Sequence, residues 1–267
     1  MSGSYRSHIA LNTVGWLAAI TATMLSCRPE RVQVDRLFVR ADALTAIQAQ
    51  IRQPATHHHQ AFEALKWRVD QGDLSVYGSG IDRYNRSFYA QELAFVCLMA
   101  EEEDQRVAYA RRAFAAVRDI YQAPDQERLP HKDYGLSRAM MQLGLAMPYA
   151  WCRGYWDEGQ RQYVEEKIHE ALDAWRTYDH ANFGDTRGSN WVAVCRGGEL
   201  VLLLAAEQEE AREERYRFLI DQLLAHMRNG YGDLGTSQEG MGYTEYGGTF
   251  LLKAVHAAAS AGDSTLY

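Results

Sequence analysis

Apolar side chains recur every three to four positions along most of this chain, and that period leaves room for little except packed helices. In 107–121, Val107, Ala110, Phe114, Val117 and Tyr121 make one unbroken i, i+3, i+4 stripe. The same spacing joins Leu44, Ile47 and Ile51, then Phe62, Leu65 and Val69, then Leu136, Met140, Leu143 and Met147. It returns in Val164, Ile168, Leu172 and Trp175, and in Leu219, Leu223 and Met227. Residues 85–100, a segment opening at Asn190, and a last apolar run over about 249–261 complete roughly nine helical segments. No stretch alternates as a strand would. Helix signals punctuate the pattern: a first helix starts near Asp42 with Pro54 beyond its end, Asp157 and Gln160 are spaced as a capping pair, and Ser189 is placed to cap the helix at Asn190. Pro148 is expected to kink or end its stripe, and the acidic run Glu101–Asp104 to end the segment before it.

Consecutive antiparallel helix pairs with short links predict an all-α fold, an α/α solenoid curving toward a toroid. Nine segments fall short of the six hairpins that would close such a ring. The expectation is therefore an incomplete barrel over residues 35–267, the N-terminal part of a longer protein.

The first 34 residues read differently. The uncharged run 14–26 lies behind Arg6 and His8, has the length of a signal-peptide core and is too short to span a bilayer. Cys27 follows Met24-Leu25-Ser26, an arrangement similar to a bacterial lipoprotein signal, which makes Cys27 a candidate lipid anchor. A periplasmic, outer-membrane or secreted location is expected from it. Cys97, Cys152 and Cys195 stand singly inside apolar patterns and read as small core residues. A net charge of -7 supplies no broad positive field for nucleic acid. His57, His58 and His59 are adjacent, and adjacent residues of a helix point in different directions, so no metal site is predicted from them.

Against this background residues 231–250 stand apart, with six glycines, three tyrosines and the carboxylates Asp233, Glu239 and Glu245 in twenty positions. Each glycine costs a helix about 1 kcal/mol. The segment is predicted to be an interhelical loop that presents polar groups, with its helix starting only near Thr249.

Four stretches, in order, resemble the heparinase II/III-type polysaccharide lyase superfamily and its alginate-lyase relatives. DRLFVRADALTAIQAQI is similar to the opening motif of that toroid, and PYAWCRGYWDEGQRQYVEEKIHEALDAW to its central hairpin. GSNWVAVCRGGELVLLLAAE resembles its asparagine-tryptophan helix, and QEGMGYTEYGGTFLLKA its EGPxYxxY loop. Two departures are visible: Ala150 stands where an Asp commonly precedes the tryptophan, and Met241 replaces the usual proline. The resemblance covers about residues 35–263 and implies a toroid followed by a β-sheet domain that this sequence does not contain.

It also implies a chemistry. Such lyases remove the proton at C5 of a uronic acid and expel the glycosidic oxygen at C4, which requires the adjacent carboxylate to be neutralised while a base takes the proton. The catalytic tyrosine maps onto Tyr243. Asn190 is the implied carboxylate-binding amide, at a helix N-terminus where backbone N–H groups also favour an anion. Tyr246, Trp191, Arg187, Glu239 and His180 make up the implied substrate-binding set, with His180 the nearest stand-in for a histidine that relatives carry beside the asparagine. Glu239 is read as a support for the loop, and Arg196 as a partner of either Glu199 or Glu239. Gly197 and Gly198 are expected to permit close helix packing. No cofactor is implied, and the partner is an acidic polysaccharide.

Two other readings stay open on the residues alone. A glycoside hydrolase on the same scaffold would use two of Asp233, Glu239 and Glu245 as paired carboxylates. A helical module that binds glycan without turnover would need no base at all.

Overall fold

The computed structural model describes residues 37–39, 41–74, 82–122, 134–182, 188–206, 212–232 and 240–267. The expected leader with Cys27 lies outside them. Among the described residues there are nine α-helices and no strand longer than an isolated bridge at Tyr231, as the apolar periodicity predicts. No helix among them is long and apolar enough to cross a membrane.

Residues 39–72 form one compact unit, a hairpin of α1 (Ala41–Ile51) and α2 (His57–Gln71). The Thr56 hydroxyl closes the turn: it donates to the carbonyls of Gln50 and Gln53 and accepts from the His59 backbone N–H. The three histidines therefore belong to the first turn of α2 and do not precede it. His59 Nδ1 lies 2.7 Å from the Ile51 carbonyl oxygen, so this ring serves to hold the hairpin. Gly72 ends α2 at φ 66°, a left-handed position that glycine adopts without Cβ strain.

The second unit holds Leu37, Phe38 and the remaining helices: α3 (Asp82–Met99), α4 (Glu103–Gln122), α5 (Tyr134–Cys152), α6 (Glu158–Asn182), α7 (Asn190–Ala205), α8 (Arg212–Gly230) and α9 (Met241–Ser260). They alternate between two layers. The odd-numbered helices pack side by side in the order α3, α5, α7, α9. Ser87 near the start of α3 meets Met140 and Gly144 of α5, and Phe95 near its end meets Trp151, so these two run parallel. Asn190 meets Gly247, and Gly197 meets Phe250 and Ala254, so α7 and α9 run parallel too.

The even-numbered helices return antiparallel on the other side. Arg86 pairs with Asp119 at 3.0 Å, and at the opposite ends of the same two helices Cys97 donates to the Arg106 carbonyl. Between outer helices, the Trp156 indole just ahead of α6 donates to the Ala110 carbonyl at 2.8 Å, and Phe114 sits edge-on to Trp156 and Tyr163. The α5–α6 pair is held by Tyr149 donating to Glu165 and by the Arg138 guanidinium over the Trp175 ring.

Local signals largely do what their chemistry requires. Gln160 N–H donates to Asp157 at 2.8 Å while Asp157 N–H donates to the Gln160 side chain at 3.1 Å, a reciprocal cap at the start of α6. Ser189 caps α7 by accepting from the Trp191 N–H. The segment before the acidic run ends at Met99, as expected, and Glu103 and Asp104 go on to open α4, where their charge favours the positive end of the helix dipole. Pro148 does not end α5, which runs on to Cys152: Ala146, Met147, Tyr149, Ala150 and Trp151 are all buried, and that packing outweighs one lost helical hydrogen bond.

α7 is the centre of the unit. Every residue from Val192 to Ala205 is buried, so this helix is apolar all round as a fully enclosed helix must be. Its two glycines have the expected use. A Cβ on Gly198 would come within 2.9 Å of Ala139 in α5, and one on Gly197 within 2.9 Å of the Phe250 carbonyl in α9. The exception to apolarity is a buried ion cluster: Glu199 accepts from Arg196 at 3.2 Å and from Arg215 of α8, and both guanidiniums lie over the Phe218 ring. Arg196 is thus a structural partner of Glu199. Cys97, Cys152 and Cys195 are buried thiols; burial pushes Cys152 and Cys195 up, and Cys152 also shares a hydrogen bond with Cys97.

Candidate functional site

The glycine-tyrosine segment is not a loop throughout. α9 begins at Met241, eight residues earlier than the composition suggests, and carries Gly242, Gly247 and Gly248 inside it. The reason is tertiary. A Cβ on Gly247 would stand 3.0 Å from the Asn190 Cβ and 3.6 Å from that of Ala193, so glycine is what lets α9 lie directly on α7. Packing at that seam offsets the helix cost of the glycines. Gly240 caps the helix at φ 95°, a backbone angle that side-chain-bearing residues rarely take. Thr244 and Thr249 donate their hydroxyls back to the carbonyls of Gly240 and Glu245, one turn earlier.

This start puts Tyr243 and Tyr246 in the first two turns of α9. Tyr243 lies one turn before Gly247, the residue that meets Asn190, and is 55% exposed. Asn190 is buried, 4% exposed. Trp191, half-buried, follows it at the α7 N-terminus. Tyr246 reaches further: its Oη is 3.7 Å from Met140 Sδ in α5, and its ring meets Phe250 edge-on. α5 and α9 both flank α7, whose opposite side is occupied by α8, so Tyr246 crosses the face of the odd-helix layer that, among the described residues, the outer helices leave uncovered. Tyr231 joins the same end, with a Cβ on Gly248 falling 4.0 Å from its Oη and His226 edge-on to its ring. Gly230 passes so close to the Gly188 carbonyl that a Cβ there would stand 3.0 Å away, which holds the end of α8 against the α7 cap.

The contacts Tyr246–Met140 and Gly247–Asn190 bring together the N-terminal parts of α5, α7 and α9, with Trp191 beside Asn190 in sequence and Tyr243 one turn before Gly247. Arg187, Asp233 and Glu239 lie outside the described residues, and His180 falls in the last turn of α6, where only its backbone is described. Glu245 is exposed on α9. Among the described residues no group of three His, Cys, Asp or Glu side chains is placed to hold a metal ion.

The uncovered face continues below Tyr246. Lys253 follows it by seven residues, two turns on the same side of α9, and its Nζ lies 5.5 Å from the centre of the Phe250 ring. Burial brings the Lys253 ammonium down to about 8. Seven residues further, Ser260 accepts from the Phe38 N–H at 3.2 Å. The Trp151 indole donates to the Leu37 carbonyl at 2.8 Å, and the Phe38 ring is edge-on to Trp151. Leu37 and Phe38 thus bridge the C-terminal ends of α5 and α9, closing the face at the end opposite the tyrosines. Sequence reasoning assigned no role to Met140 or Lys253. Met140 was indistinguishable from its core stripe, whereas Lys253 left a signal as the lone charge in the apolar run from Phe250 to Ala259.

No protein-family model matches this chain, and no curated protein is significantly similar to it in sequence.

Proposed function

We propose that the alternating helical hairpins form an arc of an α/α toroid and that the protein is a polysaccharide lyase, cleaving a uronic-acid polymer by β-elimination with Tyr243 as the base. The observation that carries this reading is the position of Tyr243: an exposed phenol at the first turn of α9, one turn before the glycine that meets Asn190. A base must reach the C5 proton of a sugar held in the open, and an exposed phenol on a rigid helix start meets that geometric need. Tyr246 flanks it with an aromatic surface on which a sugar ring can rest. The Asn190 amide and the N-terminal N–H groups of α7 stand on the anion-favouring side of the same seam, suited to the carboxylate whose charge must be masked. The resemblance of the surrounding sequence to heparinase II/III-type lyases supports the same assignment.

The test is the ultraviolet absorbance of the unsaturated uronate product, followed on alginate, heparan sulfate and related polymers. The reading expects that signal from the wild type and its loss in Tyr243→Phe, which keeps the ring and removes the proton-accepting oxygen. Full activity in Tyr243→Phe would remove Tyr243 from the mechanism, and reducing ends released without a double bond would replace the lyase by a hydrolase.

A further inference from the structure

We propose that Lys253 is the ammonium that receives a carboxylate of the acidic ligand on the uncovered face of α9, making this face, and not only the tyrosine-bearing rim, part of the binding site. The inference rests on the reading of the ligand as a uronic-acid saccharide. Lys253 lies on the line Tyr246, Lys253, Ser260, each seven residues from the next, so it faces the same way as the tyrosine that crosses to Met140. Side chains on a helix lean toward its N-terminus, and the contact with Phe250, one turn back, shows that Lys253 does so. Its Nζ is thereby carried up to the level of Phe250, about one turn, or roughly 5 Å, beneath Tyr246.

The contact that the fold gives this amine is aromatic. Phe250 lies under the ammonium, and Tyr246 stands edge-on to Phe250. Among the described residues no carboxylate pairs with Lys253, in a chain where Arg196, Arg215, Lys66 and Lys167 each hold one. A cation in such a place carries a desolvation cost that an arriving anion offsets. The lowered proton affinity of the amine reports the same cost. An acidic protein of net charge -7 repels a polyuronate at long range, so retention of the ligand depends on local cations of this kind. Leu37 and Phe38 close the far end of this face, where Phe38 meets Ser260 seven residues beyond Lys253.

The experiment compares binding of an oligomannuronate trimer and of its carboxyl-reduced, neutral counterpart to the full chain by titration calorimetry. The wild type is expected to prefer the charged trimer by at least tenfold. Lys253→Met, which keeps an unbranched stem one atom shorter and removes the charge, is expected to lose that preference while its melting temperature stays at or above that of the wild type. Lys253→Arg should retain most of it, and serves as the folded control should the methionine variant melt early. Equal preference in wild type and Lys253→Met, or no preference in the wild type, overturns the proposal. The reaction assignment fails separately: charge-selective binding that depends on Lys253 without any unsaturated product sinks the lyase and leaves this site standing. Product formation that is indifferent to Lys253→Met, with unchanged affinity, does the reverse.

Discussion

Gly247 packs against the Cβ of Asn190: the seam between α9 and α7 leaves no room for a side chain at 247, since a Cβ there would stand 3.0 Å from the Asn190 Cβ. Gly247→Ala must therefore push α9 away from α7 or bend its first turns. Overpacking of this kind typically costs about 1–3 kcal/mol, readable as a lower denaturant midpoint. Because Tyr243 and Tyr246 ride on those turns, turnover in the proposed lyase reaction should fall on the order of 10- to 100-fold, even at temperatures where the variant stays folded. Gly242→Ala, where no atom lies within 4 Å of the added methyl, serves as the control and should leave both quantities near wild type.

Glu199 is fully buried between Arg196 and Arg215. Removing it takes the buried carboxylate away from both guanidiniums. Glu199→Ala is expected to cost about 3–5 kcal/mol, the range for breaking a buried pair from one side. Glu199→Ala made together with Arg196→Met should cost less than Glu199→Ala alone, a coupling that a double-mutant cycle in urea would measure.

His256 is buried on α9, its Nδ1 has no hydrogen-bond partner among the described residues, and burial holds its protonation below the ordinary value of 6.5. The folded state thus prefers the neutral ring, and below pH 6.5 the unfolded chain binds the extra proton. Stability should be full above about pH 6.5 and decline as pH falls through the lowered value. The difference in unfolding free energy between wild type and His256→Leu, followed from pH 8 to 5, should move against the wild type on acidification; a flat difference would contradict the assignment.

Phe38 has φ 67°, a left-handed conformation unfavourable for a bulky residue, yet its ring packs on Trp151 and its N–H reaches Ser260. Phe38→Ala loses the ring and keeps the backbone cost, whereas Phe38→Gly loses the ring and relieves it. Phe38→Gly should therefore be the less damaging of the two, by about 1 kcal/mol. The two melting curves decide this.

What the sequence made legible was whatever depends on neighbours along the chain. The stripe from Val107 to Tyr121, the reciprocal Asp157–Gln160 cap and the Ser189 cap are set by residues within a few positions of each other, and each appears where expected. The start of α9 was illegible for the opposite reason. Composition counts Gly247 as a helix breaker, but its value comes from Asn190, 57 positions earlier (247 minus 190), which no local window contains. Pro148 misleads in the same way, because the burial of its neighbours in α5 decides whether the helix continues. Of the site, Tyr243 and Asn190 emerged from motif resemblance, while the Tyr246–Met140 contact spans 106 positions and became visible only in three dimensions.

The bridge formed by Leu37 and Phe38 has a bearing on the order of assembly. During synthesis these two residues emerge before any helix of their unit, yet the partners that seat them, Trp151 and Ser260, follow 114 and 222 positions later. Hairpins such as α3–α4 and α5–α6 can form as they are made, since their contacts are short in sequence. The bridge cannot close until the last helix exists. It should therefore be a late event in folding, and a nascent chain halted before α9 would hold its hairpins but leave the lower end of the tyrosine face open.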